Sequence, residues 1–245
     1  MNISGSGRIA AGEYNEKISV SGSGRLDGNI RCIALSCSGS VRGEGSVSCA
    51  EEVRASGSCN VARDLAAKSV SASGSLNVGG NIFVEREIRS SGSTSCGGSI
   101  KCGTLGSSGS IRVGGEIEAE EIRISGRVIC EGLINAERID ISMDGSNTSS
   151  RAGSIGGSEI KVYNERRGGK TSRMPLLSKL VGAGGGMLTV DELVEGDVVA
   201  IECVKTPKVV GRVVAIGAGC DVALVQYSEE IEIHPDAKVG KYEKI

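Results

Sequence analysis

The sequence predicts an all-β fold, a triangular β-helix with rungs of 17–18 residues, on three observations. A Ser-Gly step recurs at Gly5, Gly22, Gly39, Gly57, Gly74, Gly92, Gly109 and Gly126, with spacings of 17, 17, 18, 17, 18, 17 and 17 residues. Within one repeat the apolar residues form three pairs at i, i+2, as at Ile111 and Val113, Ile117 and Ala119, and Ile122 and Ile124. Such short alternation marks strands with one buried face, and no 3.6-residue pattern survives across a repeat. The third observation is composition. Gly, Ser and Pro supply 75 of 245 residues, which in an aperiodic chain would indicate disorder but on a fixed period indicates a repeat architecture. One Phe, four Tyr and no Trp leave a thin core of Ile, Val, Leu, Ala and Cys.

Three short strands and three turns per repeat make one coil, and stacking coils lets each strand pair in parallel with its counterpart in the next. Residues 1–163 form about nine such rungs. Two columns test the phase: Ile30, Val47, Leu65, Ile82, Ile100, Ile117 and Ile134, and Leu35, Val53, Val70, Ile88, Leu105, Ile122 and Ile139, all aliphatic. The 18-residue coils carry their extra residue at one charged corner, around Ala50-Glu51-Glu52 and Glu85-Arg86-Glu87, where an insertion leaves the inward pattern intact. A second corner carries Gly79-Gly80, Gly97-Gly98 and Gly114-Gly115, where the turn needs positive φ or close backbone approach. Residues 164–188, NERRGGKTSRMPLLSKLVGAGGGML, break the pattern and read as a basic, Gly-rich loop or linker. From residue 189 to 245 strand-like runs return and the solenoid resumes for about three coils, with columns at Val199, Ile216 and Ile233, at Cys203, Cys220 and Ala237, and at Val210 and Tyr227.

The chemistry the chain can carry is narrow. With 28 basic and 30 acidic residues the net charge of −2 gives no electrostatic reason for nucleic-acid binding, and five aromatic residues make no stacking platform. The seven cysteines before residue 164, Cys32, Cys37, Cys49, Cys59, Cys96, Cys102 and Cys130, fall on inward positions and read as small hydrophobes, without the CxxC spacing or nearby His of a metal site. Nine cysteines in a chain read as cytoplasmic make a disulfide framework unexpected. NERRGGKT at residues 164–171 approaches a phosphate loop but has Asn where the first Gly belongs, and Pro175 interrupts the segment where the required helix would run. GSGRIA at residues 5–10 matches a dinucleotide pattern only as a by-product of the repeat. VGGNI, CGGSI and VGGEI lack the Asp that Ca²⁺-binding repeats place in such turns. His234, the single histidine, precedes Pro235 and reads as a turn residue, and Glu51, Glu52, Glu120, Glu121 and Glu137 read as a solvated face. No catalytic, cofactor or metal residues are assigned. The loop offers a basic amphipathic segment for a membrane or partner, comprising Arg166, Arg167, Lys170, Arg173, Leu176, Leu177, Lys179 and Leu180. No apolar run reaches the roughly 18 to 20 residues of a spanning helix.

The repeated phase, as in SGSIRVGGEIEAEEIRISG at residues 108–126, resembles the bactofilin family of bacterial polymer-forming cytoskeletal proteins. That resemblance implies a right-handed β-helix that assembles end to end into nonpolar, nucleotide-independent filaments and scaffolds shape, motility or envelope functions at the membrane. Its partners would be copies of itself, a paralogue or membrane-associated proteins. An uncapped β-helix also leaves unpaired strand edges for another copy to join, and the end-rung candidates are Ile9, Tyr14, Ile18 and Val20 at one end with Tyr227, Ile231, Ile233 and Val239 at the other. The competing readings are a β-helical enzyme acting on sugars or acyl groups, which needs a His or an Asp/Arg cluster, and a monomeric solenoid binding module, which needs a uniform exposed ladder.

Overall fold

The computed structural model describes residues 1–144, 149–165 and 186–245. Every regular element among them is a β-strand, these strands pair in parallel, and the chain divides into two units, Met1–Glu118 and Ala119–Ile245.

In the first unit one coil shows the plan. Strands β4 (Ser40–Gly43), β5 (Val47–Cys49) and β6 (Glu52–Ala55) take three successive sites, and the next coil repeats them in β7 (Ser58–Val61) and β8 (Leu65–Ala72). Side chains alternate inward and outward along each strand because the pleat has a period of two. Val53 and Ala55 are accordingly buried while Arg54 is exposed. The aliphatic columns are real: Ile30 pairs with Val47, Val47 with Leu65, Leu65 with Ile82, Ile82 with Ile100, and Ile100 with Ile117. Leu35, Val53, Val70, Ile88 and Leu105 form the second stack in the same way. The extra residues of the longer coils sit at the expected corner, where the register shifts between Val84 and Glu87 while the inward columns stay in step.

Stacking explains the Ser-Gly series. A Cβ on Gly39, Gly57, Gly92 or Gly109 would lie 2.0 Å from the carbonyl oxygen of the glycine one coil earlier, far inside contact distance. The small residue is required by the approach of successive coils and not by its dihedral angles, since among these eight glycines only Gly126 has a positive φ. The paired-glycine corner obeys the same constraint. There the second glycine makes room for a polar side chain: a Cβ on Gly80, Gly98 or Gly115 would strike Asp64 Oδ1, Asn81 Oδ1 or Ser99 Oγ at 2.3–2.4 Å. These polar atoms form a ladder. Asn29 Oδ1 accepts from Ser46 N (2.9 Å), Asp64 Oδ1 from Asn81 N (2.9 Å), Asn81 Oδ1 from Ser99 N (2.8 Å) and Ser99 Oγ from Glu116 N (3.1 Å). Each coil thereby satisfies a turn amide of the next that the strand ladder does not reach.

In the second unit β16 (Arg127–Asp144), β17 (Ser149–Glu165), β18 (Met187–Ile201), β19 (Val204–Ile216), β20 (Asp221–Ile233) and β21 (Lys238–Lys244) pair in parallel in chain order. The C-terminal residues are therefore coils, as expected, but their register differs from the expected one. Val199 pairs with Val214 and Ile201 with Ile216, so the Val199–Ile216 column is two residues out of step; Val210 pairs with Gln226, and Gly211 with Tyr227. The cause is shorter corners. Cys203 turns the chain between β18 and β19 with a φ of 52°, and a further register shift falls between Thr189 and Val194. Losing residues at a corner keeps every inward pair inward, so the hydrophobic pattern alone does not reveal it. Of the expected 164–188 loop, Asn164 lies on β17 and Met187 and Leu188 on β18, while 166–185 lies outside the described residues.

Candidate functional site

No three His, Cys, Asp or Glu side chains converge to hold a metal ion among the described residues. All nine cysteines are buried and free of disulfides. Burial pushes the Cys96 thiol up to about 11 and the Cys102 and Cys220 thiols up to about 12, which keeps them neutral and hydrophobic. His234 is a turn residue: its carbonyl accepts from Ala237 N at 2.9 Å and its Nδ1 from Asp236 N at 3.1 Å. Asn164, where a phosphate loop would begin, is buried on a strand with its Nδ2 donating to Cys203 Sγ at 2.9 Å. GSGRIA lies along β2 (Ser6–Val20) with no helix after it. Of the corner acids Glu51, Glu120 and Glu137 are exposed and Glu52 and Glu121 half-buried, and three pair locally: Glu51 with Lys68 at 3.5 Å, Glu52 with Arg54 at 2.7 Å, and Glu121 with Arg123 at 2.6 Å. The basic segment Arg166, Arg167, Lys170, Arg173, Leu176, Leu177, Lys179 and Leu180 lies outside the described residues. No helix among the described residues is long and apolar enough to cross a membrane.

What the fold leaves chemically unfinished is its strand edges. In the first unit β1 (Asn2–Ile3) pairs with Ser19 and Val20, so it covers the third strand site of the first coil, and among the described residues no strand pairs with the outer edge of residues 6–17. In the second unit β21 covers residues 221–227, the first two sites of the coil that β20 forms, and among the described residues no strand covers residues 228–233. A strand edge of this kind presents a row of N–H and C=O groups able to pair with another chain.

The side chains at the two edges differ. Ile9, Ile18 and Val20 are buried within the first coil, and Tyr14 is half-buried with its hydroxyl donating to Ala10 O at 2.8 Å. At the other edge Tyr227, Ile231, Ile233 and Val239 are half-buried, although Val214 and Ile216, the register partners of Ile231 and Ile233 one coil earlier, are fully buried at 0% exposure. Tyr242 and Ile245 are 59% and 65% exposed. These two residues were not among the sequence candidates, because the apolar alternation that marks a column does not show whether a neighbouring strand covers it.

The outer face of the first unit stacks Arg8, Arg25 and Arg42 in register beside Ser6, Ser23 and Ser40, lining a shallow, open depression. Arg25 is tied to Asp27 and Glu44, which offsets the like-charge stacking locally. Such a surface can hold an anion weakly but has no wall to enclose one. No family model, curated protein or solved structure matches the chain.

Proposed function

We propose that the protein is a self-assembling scaffold without catalytic chemistry of its own, whose copies join through their open strand edges, in keeping with its resemblance to the bactofilins. The observation that carries this reading is the stepped form of the two edges. Among the described residues one edge has no strand at the third site, above residues 228–233, and the other edge begins with β1, a strand that occupies only a third site. When the edges of two copies meet head to tail, β1 of one fills the gap above β20 of the other and β2 continues the ladder from β21. Half-covered Ile231 and Ile233 would then be buried by the incoming strand, which gives the junction an apolar driving force as well as backbone hydrogen bonds. The family resemblance implies nonpolar filaments; complementary steps favour a head-to-tail, polar arrangement.

The test is negative-stain electron microscopy of the purified chain without nucleotide or metal, with Ile233→Arg and Ile3→Arg variants shown to be folded by circular dichroism. Wild-type filaments, discrete particles for each variant alone, and paired particles for their equimolar mixture are expected, because the mixture contains one intact junction. Paired particles from Ile233→Arg alone would show that like edges join. Wild-type protein that stays discrete at every concentration would refute assembly.

A further inference from the structure

Among the nine buried thiols, one pair is set apart by geometry. Cys32 and Cys49 are register partners on adjacent coils, on β3 (Ser23–Cys37) and β5, and their sulfurs lie 3.4 Å apart. In-register neighbours on paired strands are separated by about 4.8 Å, inside the roughly 4.4–6.8 Å window of Cα separations that a disulfide spans. Cys37 and Cys59 also touch, but they are not register partners: Cys37 pairs with Ala55 and Cys59 with Val41. Cys37 instead directs its thiol to the carbonyls of Gly39 and Ser58 at 3.4 and 3.3 Å.

We infer that Cys32 and Cys49 are an oxidisable dithiol that closes to a disulfide across two coils when the chain meets a peroxide. The division of labour follows from position: Cys32 lies on β3, one strand in from the open edge of β2, and Cys49 lies one coil deeper. The hydrogen bond that the two thiols share lowers the Cys32 pKa and raises that of Cys49, which burial raises further. Cys32 is the attacking sulfur. Its thiolate displaces hydroxide from hydrogen peroxide, giving a sulfenic acid, and the hydroxide takes up the proton that the thiol had released, to make one water. Cys49 then attacks the sulfenic sulfur, its proton leaves with the departing hydroxyl as a second water, and the Cys32–Cys49 bond forms. Two thiols are oxidised and one peroxide is reduced. Both sulfurs are buried, with residue exposures of 3% and 5%. Peroxide is little larger than water, and β3 lies one strand in from the open edge of β2, so parting a single strand pair exposes Cys32. The bond would tie the second coil to the third within a loop closed over 17 residues, next to the edge proposed for assembly.

The experiment treats the full chain with a few equivalents of hydrogen peroxide, removes the excess, unfolds the chain in guanidinium chloride with iodoacetamide present to alkylate the remaining thiols, and maps the peptides by mass spectrometry. The expected product is one peptide pair linking Cys32 to Cys49, reversed by dithiothreitol, with the other seven cysteines alkylated. In a Cys49→Ser variant, folded by circular dichroism, Cys32 should run on to the sulfinic acid for want of a resolving thiol. In Cys32→Ser, Cys49 should be recovered alkylated. Absence of the linked peptide, or a Cys37–Cys59 link formed first, would overturn the inference.

Discussion

Replacing Gly57 by alanine tests the reason given for the Ser-Gly period. The new Cβ would sit 2.0 Å from Gly39 O, and real Cβ atoms essentially never come within 3.0 Å of such a neighbour, so the two coils must part by about 1 Å at that corner. Three hydrogen bonds cross the same gap: Ser56 N and Gly57 N donate to Cys37 O at 2.8 and 3.1 Å, and Ser58 N to Gly39 O at 2.9 Å. Lengthened by about 1 Å they pass beyond hydrogen-bonding range, and at about 1 kcal/mol each their loss costs about 3 kcal/mol. For a chain of this size that corresponds to a fall in Tm of about 6–12 °C. Gly5 carries the same Ser-Gly step in the first coil, where a Cβ meets nothing within 4 Å. Gly5→Ala should therefore leave the thermal melt, followed by far-ultraviolet circular dichroism, nearly unchanged. Equal melts for Gly5→Ala and Gly57→Ala would refute the argument that coil approach, and not local turn preference, selects glycine.

Ile117 is fully buried and Glu120 is exposed, so Ile117→Arg should abolish folding by circular dichroism, while Glu120→Arg should shift stability by no more than about 0.5 kcal/mol. Asn81→Ala removes the acceptor for Ser99 N and should cost about 1 kcal/mol in urea denaturation, whereas Asn81→Asp keeps Oδ1 but replaces the Nδ2 that donates to Asp64 Oδ1 at 3.4 Å with a second carboxylate oxygen, and should cost at least as much. Alkaline pH should destabilise the chain through its thiols. Cys96 is raised from the ordinary 9.0 to about 11, and Cys102 and Cys220 to about 12, so in the unfolded chain they ionise first and the unfolded state binds fewer protons. Their contribution is fully present below pH 9.0 and is lost as pH rises from there toward the native values, by about 1.4 kcal/mol per pH unit for each thiol. Melts recorded between pH 7 and about 10.5 should fall accordingly, and Cys102→Ala should flatten the decline.

Much of this protein is legible because a solenoid is close to one-dimensional. Each residue of the first unit meets mainly its counterpart one period away, so Ile30, Val47 and Leu65, aligned on paper, are aligned in space. The same economy hides other things. The polar residue after each glycine pair, Asn81 or Ser99, reads only as a failed calcium ligand until its side chain is seen capping an amide of the next coil.

By itself the amino-acid sequence determined the strand phase, the inward columns and the position of the extra corner residues, since alternation and a fixed period are local properties of the chain. Only the tertiary structure decided the register of β18 to β20, because corners of different length preserve the same alternation. It also decided which thiols are partners, because inward positions alone do not say whether two sulfurs share a register. And it decided where β1 and β21 leave their neighbours uncovered, because an edge is defined by the strand that is missing beside it.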